Sequence, residues 1–159
     1  MGGLVLDSAI AAPSAGTVTV GGRVTMTAAP GWVLDSSADS GSGIELRKAN
    51  AALTAEVGST SYDGTSAALL AYQRPSLDAE AAQISYGDVT TTAINGHDTS
   101  SLVFQATVVS THTGVIDGEL ICMVVDGNAV VIVVVAQQGD LASMIDDVTA
   151  MLRSVTVSR

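Results

Sequence analysis

The longest apolar stretch of the chain, residues 121–135, is interrupted once, by Asp126, Gly127 and Asn128. Asp-Gly is a favoured hairpin turn because a tight type I′ turn needs two residues that tolerate positive φ. The pattern therefore predicts two antiparallel strands, 119–125 and 129–137, and not a membrane span. Because both strands are apolar at almost every position, we expect them to be buried on both faces at the centre of a sheet.

Alternation of apolar and polar residues predicts the remaining strands. Turn-forming residues separate these strands, among them Gly21-Gly22, a Pro-Gly corner at 30–31, a turn near Asn50 and Asn95-Gly96. The predicted strands are 17–20, 23–28, 32–34, 44–49, 53–57, 88–94, 99–110 and 155–157. The predicted loops are 35–43, 58–64 and 112–117.

A first helix is predicted to begin at Ser66, where Thr65 or Asp63 can act as the N-cap. Pro75 lies within its helical spacing of apolar residues. Proline removes one helical hydrogen bond and clashes with the preceding turn. We therefore expect a kink at this position, or a second helix over residues 75–83.

The last helix is predicted over residues 141–153, with Asp140 as its cap. Apolar residues recur along one side of it at helical spacing. This inner stripe consists of Leu141, Ile145, Val148 and Leu152. The order of elements predicts an α+β fold, a twisted and mainly antiparallel sheet flanked by helices on both faces in an α/β/α sandwich. We expect a single domain over residues 17–159 and an N-terminal tether over residues 1–16.

Composition limits the core and the partners. The chain has 159 residues, and 47% are hydrophobic but only 3% aromatic, so small aliphatic side chains must build the core. The net charge is −10, and the 6 basic residues are dispersed. This charge excludes nucleic acid as a partner and disfavours anionic lipid head groups. The abundance of Ala, Val, Thr, Gly and Asp beside a single lysine, Lys48, indicates an actinobacterial source.

The N-terminal residues leave two interpretations open. Residues 4–12 are too short to span a bilayer, and Ala9-Ile10-Ala11 has signal-peptidase spacing without a preceding basic segment. The chain either starts just after a signal or anchor, or is a soluble protein with a loose N-terminus. We favour the first. We therefore expect a cell-envelope protein, tethered by a segment missing from this chain or secreted, with the side of the membrane left open.

Catalytic groups do not assemble into a recognised motif. His97 and Asp98 lie near Ser100 and Ser101, but adjacent strand residues point to opposite faces. The Gly-x-Ser-x-Gly elbow of many hydrolases is absent. A hydrolase is therefore the least favoured function, and we expect no enzyme activity and no catalytic residue.

No metal or cofactor site is predicted either. Cys122 is the only cysteine, so an intrachain disulfide is excluded, and it reads as a small core hydrophobe. Asp146 and Asp147 diverge by about 100° on a helix and read as a solvated face. The acidic loop with Asp35 and Asp39 lacks the calcium-binding spacing of an EF-hand.

The order of elements resembles the PsbP-like fold of photosystem II extrinsic proteins, which many small bacterial envelope proteins share. It is also similar to actinobacterial Lpq-type lipoproteins. The resemblance rests on the Pro30-Gly31-Trp32 corner, the Leu152-Arg153-Ser154-Val155 helix end and the element order between them. It implies a non-enzymatic accessory or scaffold protein without shared catalytic residues. A lipobox cysteine is missing, so lipid anchoring is not implied.

These observations predict an accessory or interaction module that binds a membrane or envelope protein, with its oligomeric state open. The alternative is a carrier or sensor of apolar ligands such as envelope lipids, held in a groove between helix and sheet. We expect recognition in the loops and not in the apolar central strands. Trp32 can be an exposed anchor or a core residue. The candidate partner-binding residues are Trp32, Asp35, Asp39, Tyr62 and His112.

Overall fold

The structure is a computed structural model that describes residues 16–35, 43–49, 51–108 and 114–157. Strands dominate this part of the chain, and two helices interrupt them. The elements in order are β1 (Thr17–Val20), β2 (Val24–Thr27), β3 (Val33–Leu34), β4 (Gly43–Lys48), β5 (Ala51–Val57), α1 (Ser66–Glu80), β6 (Gln83–Tyr86), β7 (Thr90–Ile94), β8 (His97–Val108), β9 (Gly114–Val125), β10 (Asn128–Gln137), α2 (Leu141–Arg153) and β11 (Thr156–Val157).

The strands form two antiparallel sheets. A small sheet has the order β1-β2-β11, and a large sheet has the order β3-β4-β5-β10-β9-β8-β6, with β7 also paired to β8. The predicted central hairpin is confirmed: Asn128 pairs with Val125, and Asp126 and Gly127 have φ of 47° and 81°. The mainly antiparallel sheet with two helices agrees with the predicted fold.

Two hydrophobic clusters lie against the large sheet. In β9, Ile121 and Met123 belong to one cluster, and Leu120 and Cys122 to the other, as expected for a strand whose side chains alternate between faces. The first cluster also contains residues of α2 and the small sheet, and the second contains residues of α1. We call the side of the large sheet that carries Leu120 and Cys122 the α1 face.

Helix α1 runs unbroken through Pro75, so the predicted second helix at this residue is wrong. Pro75 and Ala71, whose carbonyl loses its helical partner, are both exposed, so water can replace the missing hydrogen bond. The predicted Thr65 cap is confirmed by a hydrogen bond of 3.1 Å from Ala68 N to Thr65 Oγ1. Residues 83–86, expected in part to be helical, form the edge strand β6 beside β8.

Asp140 stands at the N-cap of α2, but its side chain makes no capping hydrogen bond, so that predicted role is wrong. Its backbone is already in the αR region, where its carboxylate cannot reach the first helical N–H groups as an extended cap would. Its carbonyl instead accepts from Ser143 N and Oγ. Of the predicted inner stripe, Ile145 is half-buried and the other members are buried.

The start of β9 also differs from the sequence prediction. The strand begins at Gly114, so most of the loop predicted over 112–117 is paired with β8. Gly118 lies opposite Phe104 in this pairing, and a Cβ added to Gly118 would overlap the Phe104 ring. The aromatic ring therefore occupies the space that any larger residue at 118 would need.

Replacing Gly118 with alanine should lower the free energy of unfolding by about 1–3 kcal/mol, because the methyl group displaces the Phe104 ring within a packed cluster. Urea denaturation measures the change. Gly114→Ala, in the same strand with nothing within 4 Å of the added Cβ, is the matched control and should change stability by less than about 0.5 kcal/mol. Equal effects of the two substitutions would contradict this packing.

Candidate functional site

Helix α1 covers only part of the α1 face. It packs over β8 and β9, where Leu69 and Leu70 join the cluster that contains Leu102, Phe104 and Leu120. Strands β10, β5 and β4 continue the large sheet beyond the helix. Among the described residues, no helix packs over that side of the sheet as α1 does over β8 and β9.

The open half has an apolar row in β10. Val131, Val133 and Val135 are half-buried on this face, whereas Ile132 and Val134 between them are fully buried on the other. The prediction that this central strand is buried on both faces holds only in part on the α1 face, where the valines pack against the α1 cluster and stay partly exposed. The three valines form one continuous row along β10 beside the helix, with successive side chains about 7 Å apart.

Pairing places three rungs of side chains across the open half. Val135, Ala52 and Arg47 lie in register, as do Val133, Thr54 and Glu45, and also Val131, Glu56 and Gly43. We call the surface between these rungs and α1 the α1 groove. Its floor is apolar at β10 and becomes polar toward β4.

Three adjoining cavities make the groove continuous. A cavity of about 810 Å³ lies at the end near residues 58–62, one of about 310 Å³ in the middle and one of about 550 Å³ at the far end. Neighbouring cavities share lining residues from both the sheet and the helix. The shared residues are Glu56, Gln73, Val131, Thr54, Glu80 and Val133.

The predicted candidate Tyr62 lies in the α1 groove, at its loop end. Tyr62 N donates to Gly127 O at 2.7 Å, and its hydroxyl donates to Thr65 O at 2.8 Å. The guanidinium of Arg23, from the turn of the small sheet, donates to the carbonyls of Gly58 and Ser59. These bonds hold this end of the groove in one shape.

The groove carries more negative than positive charge. Glu45, Glu56 and Glu80 line it, and Arg47 is its basic residue. Arg47 is engaged, because it forms ion pairs with Glu45 and with the candidate Asp35, whose Oδ2 lies 3.1 Å from Arg47 Nε. Asp35 thus helps to hold the Arg47 side chain in place at the end of the groove away from residues 58–62.

Trp32 is fully buried, which favours the core role that the sequence also allowed. Its Nε1 donates to Asp147 Oδ2 at 2.9 Å, and Lys48 Nζ donates to the same oxygen at 2.8 Å. These hydrogen bonds, that from Lys48 before that from Trp32, lower the pKa of Asp147. The interpretation of Asp147 as a solvated residue is therefore wrong: it ties α2 to the corner and to β4.

The candidates Asp39 and His112 lie outside the described residues. Within the described ranges, no group of three or more His, Cys, Asp or Glu side chains is placed to hold a metal ion. Burial raises the pKa of the Cys122 thiol to about 12, so it behaves as a core hydrophobe and not as a nucleophile.

The residues considered for hydrolysis form a helix cap. Asp98 accepts from Ser66 N at 2.8 Å and from Ser66 Oγ at 2.9 Å, and Ser66 Oγ lies 2.7 Å from Ser100 Oγ. Both serines are fully buried. The hydroxyls thus fix the start of α1 to β8, with Ser66, and not His97, beside the carboxylate.

The valine row of the α1 groove was missed by sequence reasoning. An apolar residue on each face of β10 indicates burial, but it does not indicate what covers the residue. The prediction of a groove between helix and sheet was the signal that pointed to this surface. In the described part of the chain, neither helix is long and apolar enough to cross a membrane.

Comparison with known proteins gives a fold but no family. No family model and no curated protein matches the sequence. The solution structure of CyanoP, the cyanobacterial PsbP protein of Synechocystis, matches with a TM-score of 0.58 and 11% identity over 96% of this chain and 98% of that one. The described fold is accordingly PsbP-like.

Two further solved structures are similar. A Pseudomonas aeruginosa protein of unknown function matches with a TM-score of 0.54 and 13% identity over 69% of this chain and 73% of its own. A Bacteroides thetaiotaomicron protein matches with a TM-score of 0.60 and 9% identity over 91% of this chain. This chain spans 49% of that second protein. At these identities the likeness concerns the fold alone.

Replacing Asp147 with asparagine should lower stability at pH 7 by about 1–3 kcal/mol, since it removes a charged acceptor of two hydrogen bonds. Because folding lowers the pKa of Asp147, its contribution is present above the ordinary aspartate pKa of about 4 and is lost as the pH falls through the lowered value. The stability difference between wild type and variant should therefore shrink below about pH 4.

Urea unfolding at several pH values, followed by the fluorescence of the single Trp32, measures this dependence. Asp146→Asn changes an exposed neighbour by the same chemistry and is the control. A pH-independent loss in Asp147→Asn, or equal losses in both variants, would contradict the assigned pairing.

Proposed function

We propose that this protein is a non-enzymatic interaction module that holds a segment of a partner protein in the α1 groove. One observation carries the proposal: beside α1, which packs mainly over β8 and β9, half of a sheet face presents a row of partly exposed valines bordered by charged residues. Apolar patches rimmed by polar residues are typical of interaction sites.

The energetics support a binding surface. Full burial of one valine side chain contributes about 1.5–3 kcal/mol relative to exposure, and these already mostly buried valines retain at most about a third of this. Covering Val131, Val133 and Val135 would thus contribute at most about 1.5–3 kcal/mol to a complex. A polar rim at Glu56 and Glu80 would then supply orientation and specificity.

The setting we propose is the bacterial cell envelope, with a membrane or envelope protein as partner. Its support is the actinobacterial composition and the resemblance to Lpq-type lipoproteins. We also propose the layered form of the fold, with a helix on each face of the large sheet. The separate clusters that contain α1 and α2 residues support this arrangement.

Carriage of an apolar ligand is the second candidate. The cavity of about 810 Å³ at the loop end of the groove falls within the usual 300–1,000 Å³ of small-molecule sites, and Ala129 and Leu69 contribute to its lining. The acidic rim along the rest of the groove favours a protein segment over an anionic lipid.

Photo-crosslinking in the native host tests the proposal. A benzophenone amino acid in place of Ser76, an exposed α1 residue that lines the groove, should give one discrete protein adduct on irradiation. The same replacement at Ala71, exposed on the same helix but absent from the groove lining, should give none. A partner segment bound over the valines and the charged rim would lie beside Ser76 and out of reach of Ala71.

Mass spectrometry of the crosslinked products separates the two candidates. A small addition with the mass of a lipid at Ser76 would support ligand carriage instead of partner binding. Identical adducts from both positions, or no adduct from Ser76, would contradict a binding role for the groove.

A further inference from the structure

We propose that the segment bound in the α1 groove is an amphipathic α-helix with a basic flank. This inference rests on the proposed function and names the chemistry of the partner. It follows from the width of the open face, from the way its strands are already paired, and from the charges that border it.

The width of the open face matches one helix. Neighbouring strands lie about 4.8 Å apart, and packed helices lie 8–10 Å apart, so one helix covers about two strands. Helix α1 lies over β8 and β9. The next helix in the same layer would lie over β10 and β5, where Val131 and Val133 are half-buried. The residues of α2 belong to the other cluster, and the described part of the chain has no third helix to lie over β10 and β5.

The length of the groove sets the length of the helix. Its floor follows β10 from Ala129 to Gln137, a distance of roughly 27 Å at 3.3 Å per residue. A helix rises 1.5 Å per residue, so about 15–18 residues fill the groove. Helix α1, which forms the adjacent wall, has 15 residues.

An added strand does not fit the floor. Strand β10 is paired on both sides, to β9 and β5, and β5 is paired on both sides, to β10 and β4. Their backbone N–H and C=O groups are therefore engaged, whereas strand addition needs an open edge. A segment over these strands must bind through side chains, which suits the apolar stripe of a helix against the valine row.

The charges that border the groove select a basic flank. Glu56 on the sheet and Glu80 on the helix both line the middle cavity, so carboxylates stand on both sides of the valine row. Arg47 is held by Asp35 and Glu45 and does not offset them. The chain carries a net charge of −10, which adds long-range attraction for a basic segment.

Synthetic peptides test the inference on the full chain. The probe is a fluorescein-labelled 16-residue peptide with Leu at helical spacing and Lys on both flanks, and binding is measured by fluorescence anisotropy. One control has Glu at every Lys position, and a second has the basic composition in scrambled order. We expect the basic amphipathic peptide to bind at least about tenfold more tightly than either control, with weaker binding at higher salt.

Variants locate the binding site. Val133→Asp should weaken binding of the basic peptide at least about tenfold, because it places a charge in the apolar row. Val103→Asp makes the same change at an exposed valine of β8, outside the groove lining, and should have no effect. The double variant Glu56→Gln with Glu80→Gln should weaken binding several-fold and reduce its salt dependence. If Val133→Asp does not fold, Ser76→Trp blocks the groove from an exposed helix position and should have the same effect.

The remaining outcomes overturn distinct parts of the account. Equal binding of the scrambled peptide would reduce recognition to charge alone and overturn the helix. Equal binding of the acidic peptide would overturn the basic flank and leave partner binding intact. Absence of peptide binding together with a protein crosslinked at Ser76 would overturn the helix but not the proposed function. Binding of a fluorescent fatty acid that Val133→Asp abolishes, without peptide binding, would overturn both in favour of ligand carriage.

Discussion

Both faces of the large sheet carry apolar side chains, and their removal from water drives the rest of the structure to pack against it. Ile132 and Val134 are fully buried in one cluster with residues of the small sheet and α2. On the other side, α1 packs mainly over β8 and β9, and the valines of β10 lie at the edge of its cluster, where they stay partly exposed. The apolar surface of β10 is thus buried on one face and partly exposed on the other, in the α1 groove.

Polar contacts hold the covering layers in place. The carboxylate of Asp147 joins α2 to Trp32 and Lys48, and Asp98 fixes the first turn of α1 through Ser66. Hydrogen bonds to charged groups are stronger than those between neutral ones. Because these contacts fix where each helix begins or crosses the sheet, they also fix the part of the sheet that remains open.

The sequence predicted correctly those turns and helix ends that depend only on neighbouring residues. The Asp126-Gly127 turn and the Thr65 cap are confirmed because a few neighbouring residues decide each one. The second helix allowed at Pro75 and the side-chain cap expected of Asp140 did not form, since the exposure of a helix and the entry angle of the chain decide those outcomes. Neither quantity can be read from the residues themselves.

The candidate site was predicted only in part. Tyr62 and a groove between helix and sheet were expected, whereas the row of Val131, Val133 and Val135 was assigned to a doubly covered strand. The sequence does not distinguish a valine that its own chain buries from a valine that stays exposed for a partner. The position of α1 on the sheet determines which valines are buried. That position depends on contacts between residues far apart in sequence, such as Ser66 with Asp98.

The accessibility of neighbouring positions in β10 tests most directly whether this face is open. Cysteine is introduced at Val133 or Val134, and its reaction with a thiol reagent is followed in the folded protein, where the native Cys122 is buried. We predict that Val133→Cys reacts at least about 100-fold faster than Val134→Cys, which can react only after local unfolding. Equal protection of both positions would show that the face is covered and would contradict the account.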